Sequence, residues 1–288
     1  MSIKKRIPWW LKMTIKIFLS FMPMKYGIWQ KIGLFRHGSM DKASYFLRII
    51  STHLNASKLS PDDLQGKKII EIGPGDSVSS AIVFSSYNAQ ALLIDAGDFS
   101  VKDITQYKAI SKELYEDGYA VKNIDHVTSF TEMLDVIGAK YLTNGLLSFS
   151  EIEDNSIDFI FSEAVLEHIH KDEFLPIMKE CKRILKHDGV ISHSIDLKDH
   201  LDYALNNLRF SETVWESKLF KRGGIYTNRI SFQEMIEIFE SSGFKVDVKE
   251  INRWEKLPTP RKKMALPFRN YSEDNLSVSA FSALLTPK

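Results

Sequence analysis

The stretch that decides the fold is "KKIIEIGPGDSVSSAIVF", Lys67–Phe84. Three isoleucines, Ile69, Ile70 and Ile72, surround a single acid, Glu71, in a run that reads as a buried strand. A Gly73-Pro74-Gly75 turn follows, then Asp76 and Ser77, then a helical pattern. A dinucleotide fingerprint needs G-x-G-x-x-G, and here the third glycine position holds Val78. The charge of the turn argues the same way. A carboxylate about 4 Å from a pyrophosphate costs several kcal/mol at an effective dielectric near 20.

A cationic ligand reverses that sign. A sulfonium carrying an amino-acid ammonium, as in S-adenosylmethionine, finds Glu71 and Asp76 complementary. The next apolar run, "ALLID", ends in Asp95, 24 residues after Glu71. A strand-end carboxylate there offers neighbouring acceptor oxygens to the two hydroxyls of a ribose.

Further runs extend the alternation of strand and helix. "SIDFIFS" and "GVISHSID" read as strands, with "DEFLPIMKECKRILKHDG" between them as a helix that stops at Gly189. "SFQEMIEIFESSG" reads as a helix, and "FKVDVKEI" and "SVSAFSALLT" as closing strands. Such alternation implies an α/β fold: a doubly wound, mostly parallel sheet covered on both faces, with ligands at the carboxyl ends of its strands.

"IIEIGPGDS", "LLID", "SIDFIFSEAVLEHI" and "CKRILKHDGVISHSID" stand in that order along the chain. Together they resemble the successive motifs of class I S-adenosylmethionine-dependent methyltransferases, over roughly residues 65–200. The resemblance implies a Rossmann-like, seven-stranded sheet with an antiparallel last strand, and S-adenosyl-L-methionine as cofactor. It implies that Glu71, Gly73, Gly75 and Asp76 line the methionine moiety and that Asp95 holds the ribose. Ser162 and Glu163 are expected to face the cofactor and the substrate mouth. Ser77 replaces the family's third glycine and is expected to cap the following helix. Asn144 and Gly145 stand where many members carry an acid near the adenine.

Three further residues are candidates for catalysis: His200, His168 and Asp196. His168 lies in "LEHIHKDE" and the other two in "ISHSIDLKDHLDY". An oxygen nucleophile needs a base for its proton, and imidazole titrates in the right range. Asp199 is a candidate partner to orient His200. His193, alternating inside a strand, reads as a buried structural residue. Asp196, Asp199 and His200 could also suit magnesium or manganese, but no second cluster supports a metal, and none is assigned.

The expected organisation is an N-terminal helical extension over residues 1–60 and a methyltransferase domain over 61–288. The domain carries a helical insertion at about 102–140 and a substrate lid at about 197–230. The lid is rich in aromatic rings, arginines and amides, which suits a polyhydroxylated or anionic acceptor such as a glycan. The leading expectation is methyl transfer to a small-molecule or glycan hydroxyl, in a cytoplasmic enzyme of polysaccharide biosynthesis. A methyltransferase-shaped binding module without turnover is the alternative, and a nicotinamide-dependent reductase a weaker one.

Composition bounds the partners. The chain has 288 residues, 38 basic and 37 acidic, for a net charge of +1. That balance gives no reason to expect nucleic acid. The one cysteine, Cys181, excludes an intramolecular disulfide. The N-terminus is apolar, basic and aromatic, but Lys12, Lys16 and Lys25 interrupt any spanning run. Helical spacing groups Ile7, Trp10, Leu11, Thr14, Ile17 and Phe18 as one stripe, with Lys5, Lys12 and Lys16 off it. Two readings stand: a helix packed on the domain, or one lying on a membrane surface as a peripheral anchor at its inner face.

Overall fold

The computed structural model describes residues 8–21 and 40–288. Helix α1 (Trp9–Ser20) is followed by α2 (Ala43–Ser57). The α/β body then runs β1 (Lys68–Ile72), α3 (Ser80–Ser86), β2 (Gln90–Ile94), α4 (Ile104–Glu116), α5 (Phe130–Ile137) and β3 (Ala139–Leu142). Next come β4 (Ile157–Glu163), α6 (Lys171–Ile184) and β5 (Leu185–Asp196). The short helices α7 (Glu212–Trp215) and α8 (Lys218–Arg222) lead to α9 (Phe232–Ser241), β6 (Phe244–Arg253) and β7 (Val278–Pro287).

The seven strands order as β3-β2-β1-β4-β5-β7-β6, with β7 antiparallel to both neighbours. The switch in strand order falls between β1 and β4, so the β1 and β4 carboxyl ends frame the ligand crevice.

Pleating divides the core in two. Ile69, Leu93, Phe159 and Phe161 face the side covered by α2, α3, α4 and α5. Ile70, Ile72, Ile94, Ile160 and Ile191 face the side covered by α6 and α9. Local signals fix the covering helices. Ser129 caps α5, which ends on Gly138 at φ +70°. Ser231 and Glu234 form a capping box at the start of α9.

Several boundaries differ from the sequence reading. The helix expected to stop at Gly189 stops at Ile184, because Leu185 already pairs with Ile157 in the sheet. Residues 102–140 hold α4 and α5 and run into β3. They form the crossover from β2 to β3, whose last strand is only four residues long. The α1 stripe is also different. Trp9, Met13 and Ile17 face the protein, while Trp10, Leu11 and Phe18 are exposed. Ile7 lies outside the described residues.

Candidate active site

Gly73 and Gly75 turn the chain at φ +73° and +65°, in the left-handed region that glycine enters without strain. Gly73 is also pressed against the turn after β4. A Cβ built on it would lie 2.4 Å from Val165 Cγ1. Gly75 has open space around it, so its requirement is conformational alone.

Three acids surround this turn. Glu71 shares a pocket with Gly73, Pro74, Ser80, Phe161 and Glu163, roofed by Met40, Tyr45 and Ile49 at the start of α2. The Ser80 hydroxyl donates to the Glu71 carboxylate. Burial nevertheless pushes Glu71 up to about 7, and the Asp95 charge adds to the rise. Asp95 stands one residue past β2 and accepts from the Gly75 N–H at 3.0 Å and the Ala96 N–H at 2.8 Å. Burial raises it to about 6 against these hydrogen bonds, with Asp76 and Asp98 contributing. Asp76 is itself buried, and its backbone carbonyl accepts from Val101 at 3.0 Å. The turn thus concentrates negative charge that a cationic ligand would neutralise.

Gly145 joins this group: its N–H donates to the Asp95 carbonyl at 2.9 Å. Asn144 precedes it, its N–H held by Ser148 Oγ at 3.0 Å. Ser77 does not cap the following helix. Its oxygen accepts from the Ser79 N–H at 3.3 Å and meets Ser79 Oγ at 2.8 Å, one residue before α3 begins. Ser162 does not face the crevice either. Strand alternation turns it away from Phe161 and Glu163, and its hydroxyl bonds His193 Nδ1 at 2.8 Å. His193 is a buried structural residue, pushed down to about 3 by desolvation and the nearby His53.

Glu163 faces the crevice. Burial pushes it upward, but His53 overrides this and holds the carboxyl below its usual range. His53 Nε2 lies 3.3 Å from Glu163 Oε2, and its Nδ1 meets Ser192 Oγ at 2.8 Å. The sequence reading missed His53 and Tyr45. Both ride on α2, at positions that read only as an amphipathic stripe.

A second pocket opens across the turn after β4. Glu167, Asp196, Asn207, Thr227, Arg229 and Tyr271 are among its lining residues. Glu167 is 2 % exposed, and no hydrogen bond of normal geometry reaches either carboxylate oxygen. Burial, with Asp196 and Glu163 nearby, holds its carboxyl well above the usual range. The sequence reading passed over Glu167 and took only its neighbour His168 from this stretch as a candidate.

Beside Glu167, His168 and His200 stack with ring centroids 4.7 Å apart and planes within 21°. The Tyr226 carbonyl lies 2.9 Å from His168 Nδ1. A carbonyl only accepts, so in the neutral ring Nδ1 carries the proton and Nε2 the lone pair. Ligand atoms of Glu167, His168 and His200 all lie within 4.8 Å of one another. The near-parallel rings do not aim their in-plane lone pairs at one point, so the arrangement suits proton transfer better than metal ligation.

Asp199 does not orient His200. Its carboxylate accepts the backbone N–H groups of Leu201 (3.0 Å), Asp202 (2.7 Å) and Asn206 (2.7 Å), and so shapes the loop. Asp196 accepts from the Lys198 N–H at 2.9 Å and pairs with its ammonium at 3.0 Å. Asn228 is a staple: its side chain donates to the Leu166 and Ile169 carbonyls at 2.7 and 3.1 Å.

Residues 108–192 match a family model described as a methyltransferase domain. No curated protein matches the chain. Among solved structures, it is similar to phosphoethanolamine N-methyltransferase 2 of Haemonchus contortus in complex with S-adenosyl-L-methionine. That match has 16% identity over 78% of this chain and 49% of that one, at a TM-score of 0.41. The chain therefore spans about half the length of that relative. It is also similar to a SAM-dependent methyltransferase of Archaeoglobus fulgidus (10% identity, 84% of this chain and 94% of that one, TM-score 0.45). A third is a TehB-like SAM-dependent methyltransferase of Corynebacterium glutamicum (14% identity, 85% and 98%, TM-score 0.39).

Proposed function

We propose that this S-adenosylmethionine-dependent methyltransferase delivers its methyl group to a hydroxyl of a small polar acceptor, of the kind a glycan offers. The donor occupies the acid-lined crevice of Glu71, Gly73, Gly75, Asp76 and Asp95, with Asn144 and Gly145 at the adenine edge. The acceptor occupies the pocket of Glu167, Asp196, Asn207, Thr227 and Arg229.

The observation that carries this reading is the division of the crevice by one turn. Glu163 lines the pocket of Glu71 and Gly73, and Glu167, four residues on, lines the pocket of Asp196 and Arg229. Methyl transfer needs this arrangement, because nucleophile and sulfonium must meet in line across a short gap. Bound S-adenosylmethionine supplies the electrophilic methyl carbon. The residues supply position and proton transfer: His168 accepts the hydroxyl proton at Nε2. The stacked His200 ring keeps His168 in place. Transfer converts the sulfonium to a neutral thioether and leaves the methyl ether as product.

In this reading the enzyme works in the cytoplasm, at the inner face of a membrane. Among the described residues no helix is long and apolar enough to cross one.

The test is a methyl-transfer screen of nucleotide sugars and glycans, using protein already shown to bind S-adenosylhomocysteine. Product that appears with the native protein and falls sharply with His168→Ala supports the reading. Product formed only with amines, or undiminished by that substitution, contradicts it.

A further inference from the structure

Helix α1 meets the protein through one face. Trp9, Met13 and Ile17 pack with Phe210 on the lid cluster of Leu201, Trp215, Phe220, Ile225 and Tyr226. Lys12 Nζ donates to the Leu201 carbonyl at 3.1 Å and pairs with Asp202 at 3.2 Å. Lys16 Nζ reaches the His200 carbonyl at 3.5 Å. The helix therefore buttresses the loop that carries His200.

Its other face is apolar and open. Trp10 is 53 % and Phe18 68 % exposed, with Leu11 and Ile15 beside them and Phe21 just past the helix end. Val214 of α7 and Leu219 of α8, both in the lid, are exposed as well. An apolar surface of this kind marks an interaction site.

Charge identifies the occupant. The first 40 residues contain eight Lys or Arg and no Asp or Glu, while residues 41–288 carry a net charge of −7. A segment so strongly cationic, on a body of opposite sign, fits an anionic surface and not a second copy of the same basic segment. Exposed tryptophan and phenylalanine suit the headgroup region of a bilayer. A helix of 12 residues spans about 18 Å, too short to cross a hydrocarbon core of about 30 Å.

We propose that the outward face of α1 docks on an anionic lipid bilayer. Both readings of the N-terminus then hold together: one face packs on the lid, the other lies on the membrane. Docking carries the lid and its pocket to the lipid surface, so the acceptor is a molecule borne on a lipid. This last step rests on the methyltransferase reading, whereas the docking itself does not.

Flotation of the full-length protein with vesicles tests the docking. Vesicles of phosphatidylcholine alone are compared with vesicles holding about 30% phosphatidylglycerol, at low and high salt. The native protein is expected to float with the anionic vesicles only, and at least about tenfold less at 0.5 M salt. Leu11→Glu with Phe18→Glu is expected to abolish flotation. The milder Phe18→Ser serves if the pair fails to fold, and S-adenosylhomocysteine binding of each variant reports an intact body. Failure of the native protein to float overturns the docking. So does full flotation of folded variants, or a native dimer that the substitutions convert to monomer. None of these results touches the methyltransferase reading, which the hydroxyl-acceptor screen tests separately.

Discussion

The Asp95 carboxylate accepts the backbone N–H of Gly75 at 3.0 Å. This hydrogen bond ties the end of the second strand to the glycine turn after the first, so the two halves of the proposed donor site form one unit. It also holds a carboxylate where a ribose diol would meet it. Asp95→Ala should weaken binding of S-adenosylhomocysteine on the order of tenfold to a hundredfold, the loss expected for a charge-assisted hydrogen-bond pair. Calorimetric titration measures this, with circular dichroism as the control for folding.

The raised acids of the proposed donor site set a pH dependence. Glu71 is pushed up to about 7 and Asp95 to about 6, above the ordinary values of 4.5 and 3.8. Between the ordinary and the raised values the folded protein binds more protons than the unfolded chain. The stability this contributes is therefore full below about pH 4 and is lost as pH rises through 6 to 7. A cationic ligand favours the ionised acids and displaces those protons. S-adenosylmethionine binding at about pH 6.5 should release protons, and the release should fade near pH 8. Titration in buffers of different ionisation enthalpy measures it; equal heats in all buffers at pH 6.5 would contradict the assignment.

The two turn glycines should respond differently to alanine. Gly73→Ala places a Cβ 2.4 Å from Val165 Cγ1 at a φ of +73°, combining overpacking with backbone strain. A loss of about 2–4 kcal/mol follows. Gly75→Ala meets open space at φ +65° and should cost about 1–2 kcal/mol. Urea denaturation separates the two.

Asn228→Ala removes two hydrogen bonds that join the lid to the turn after β4. It leaves the Leu166 carbonyl without its side-chain partner in a buried position, at a cost of about 1–3 kcal/mol. The damage should fall on the acceptor side. The apparent KM for acceptor should rise while affinity for S-adenosylhomocysteine stays unchanged.

His168→Ala should lower turnover at least about a hundredfold while leaving cofactor affinity intact. His200→Ala should also lower it, through the lost ring stack at 4.7 Å. Asp199→Asn should act on stability, because its carboxylate holds three backbone N–H groups and not the imidazole. Single-turnover rates beside melting curves distinguish these roles.

The sheet was legible because its strands are nearly continuous apolar runs broken by turn residues. β3 escaped notice for the opposite reason. Its four residues, Ala139–Leu142, are too few to show a period. The acid-lined turn could be read because its charge and its glycines lie close together in the chain. The acceptor side could not, because it assembles residues far apart. Glu167 and His200 meet only through the lid, and His53 reaches Glu163 across 110 positions. Ser162 was misplaced for want of the strand's parity, which one residue of register decides. Asp199 beside His200 looked like an acid–base pair, but adjacency in sequence does not point two side chains at each other.

The central claim is that the tips of the first two strands form a pocket for a cationic sulfonium ligand. Competitive calorimetry on the native protein near pH 8 tests it most directly, with S-adenosylmethionine and NADH titrated separately. The account predicts saturable one-to-one binding of S-adenosylmethionine, weakened at least about tenfold in Asp95→Ala, and no binding of NADH. Binding of NADH in preference, or undiminished binding of S-adenosylmethionine by folded Asp95→Ala protein, would contradict it.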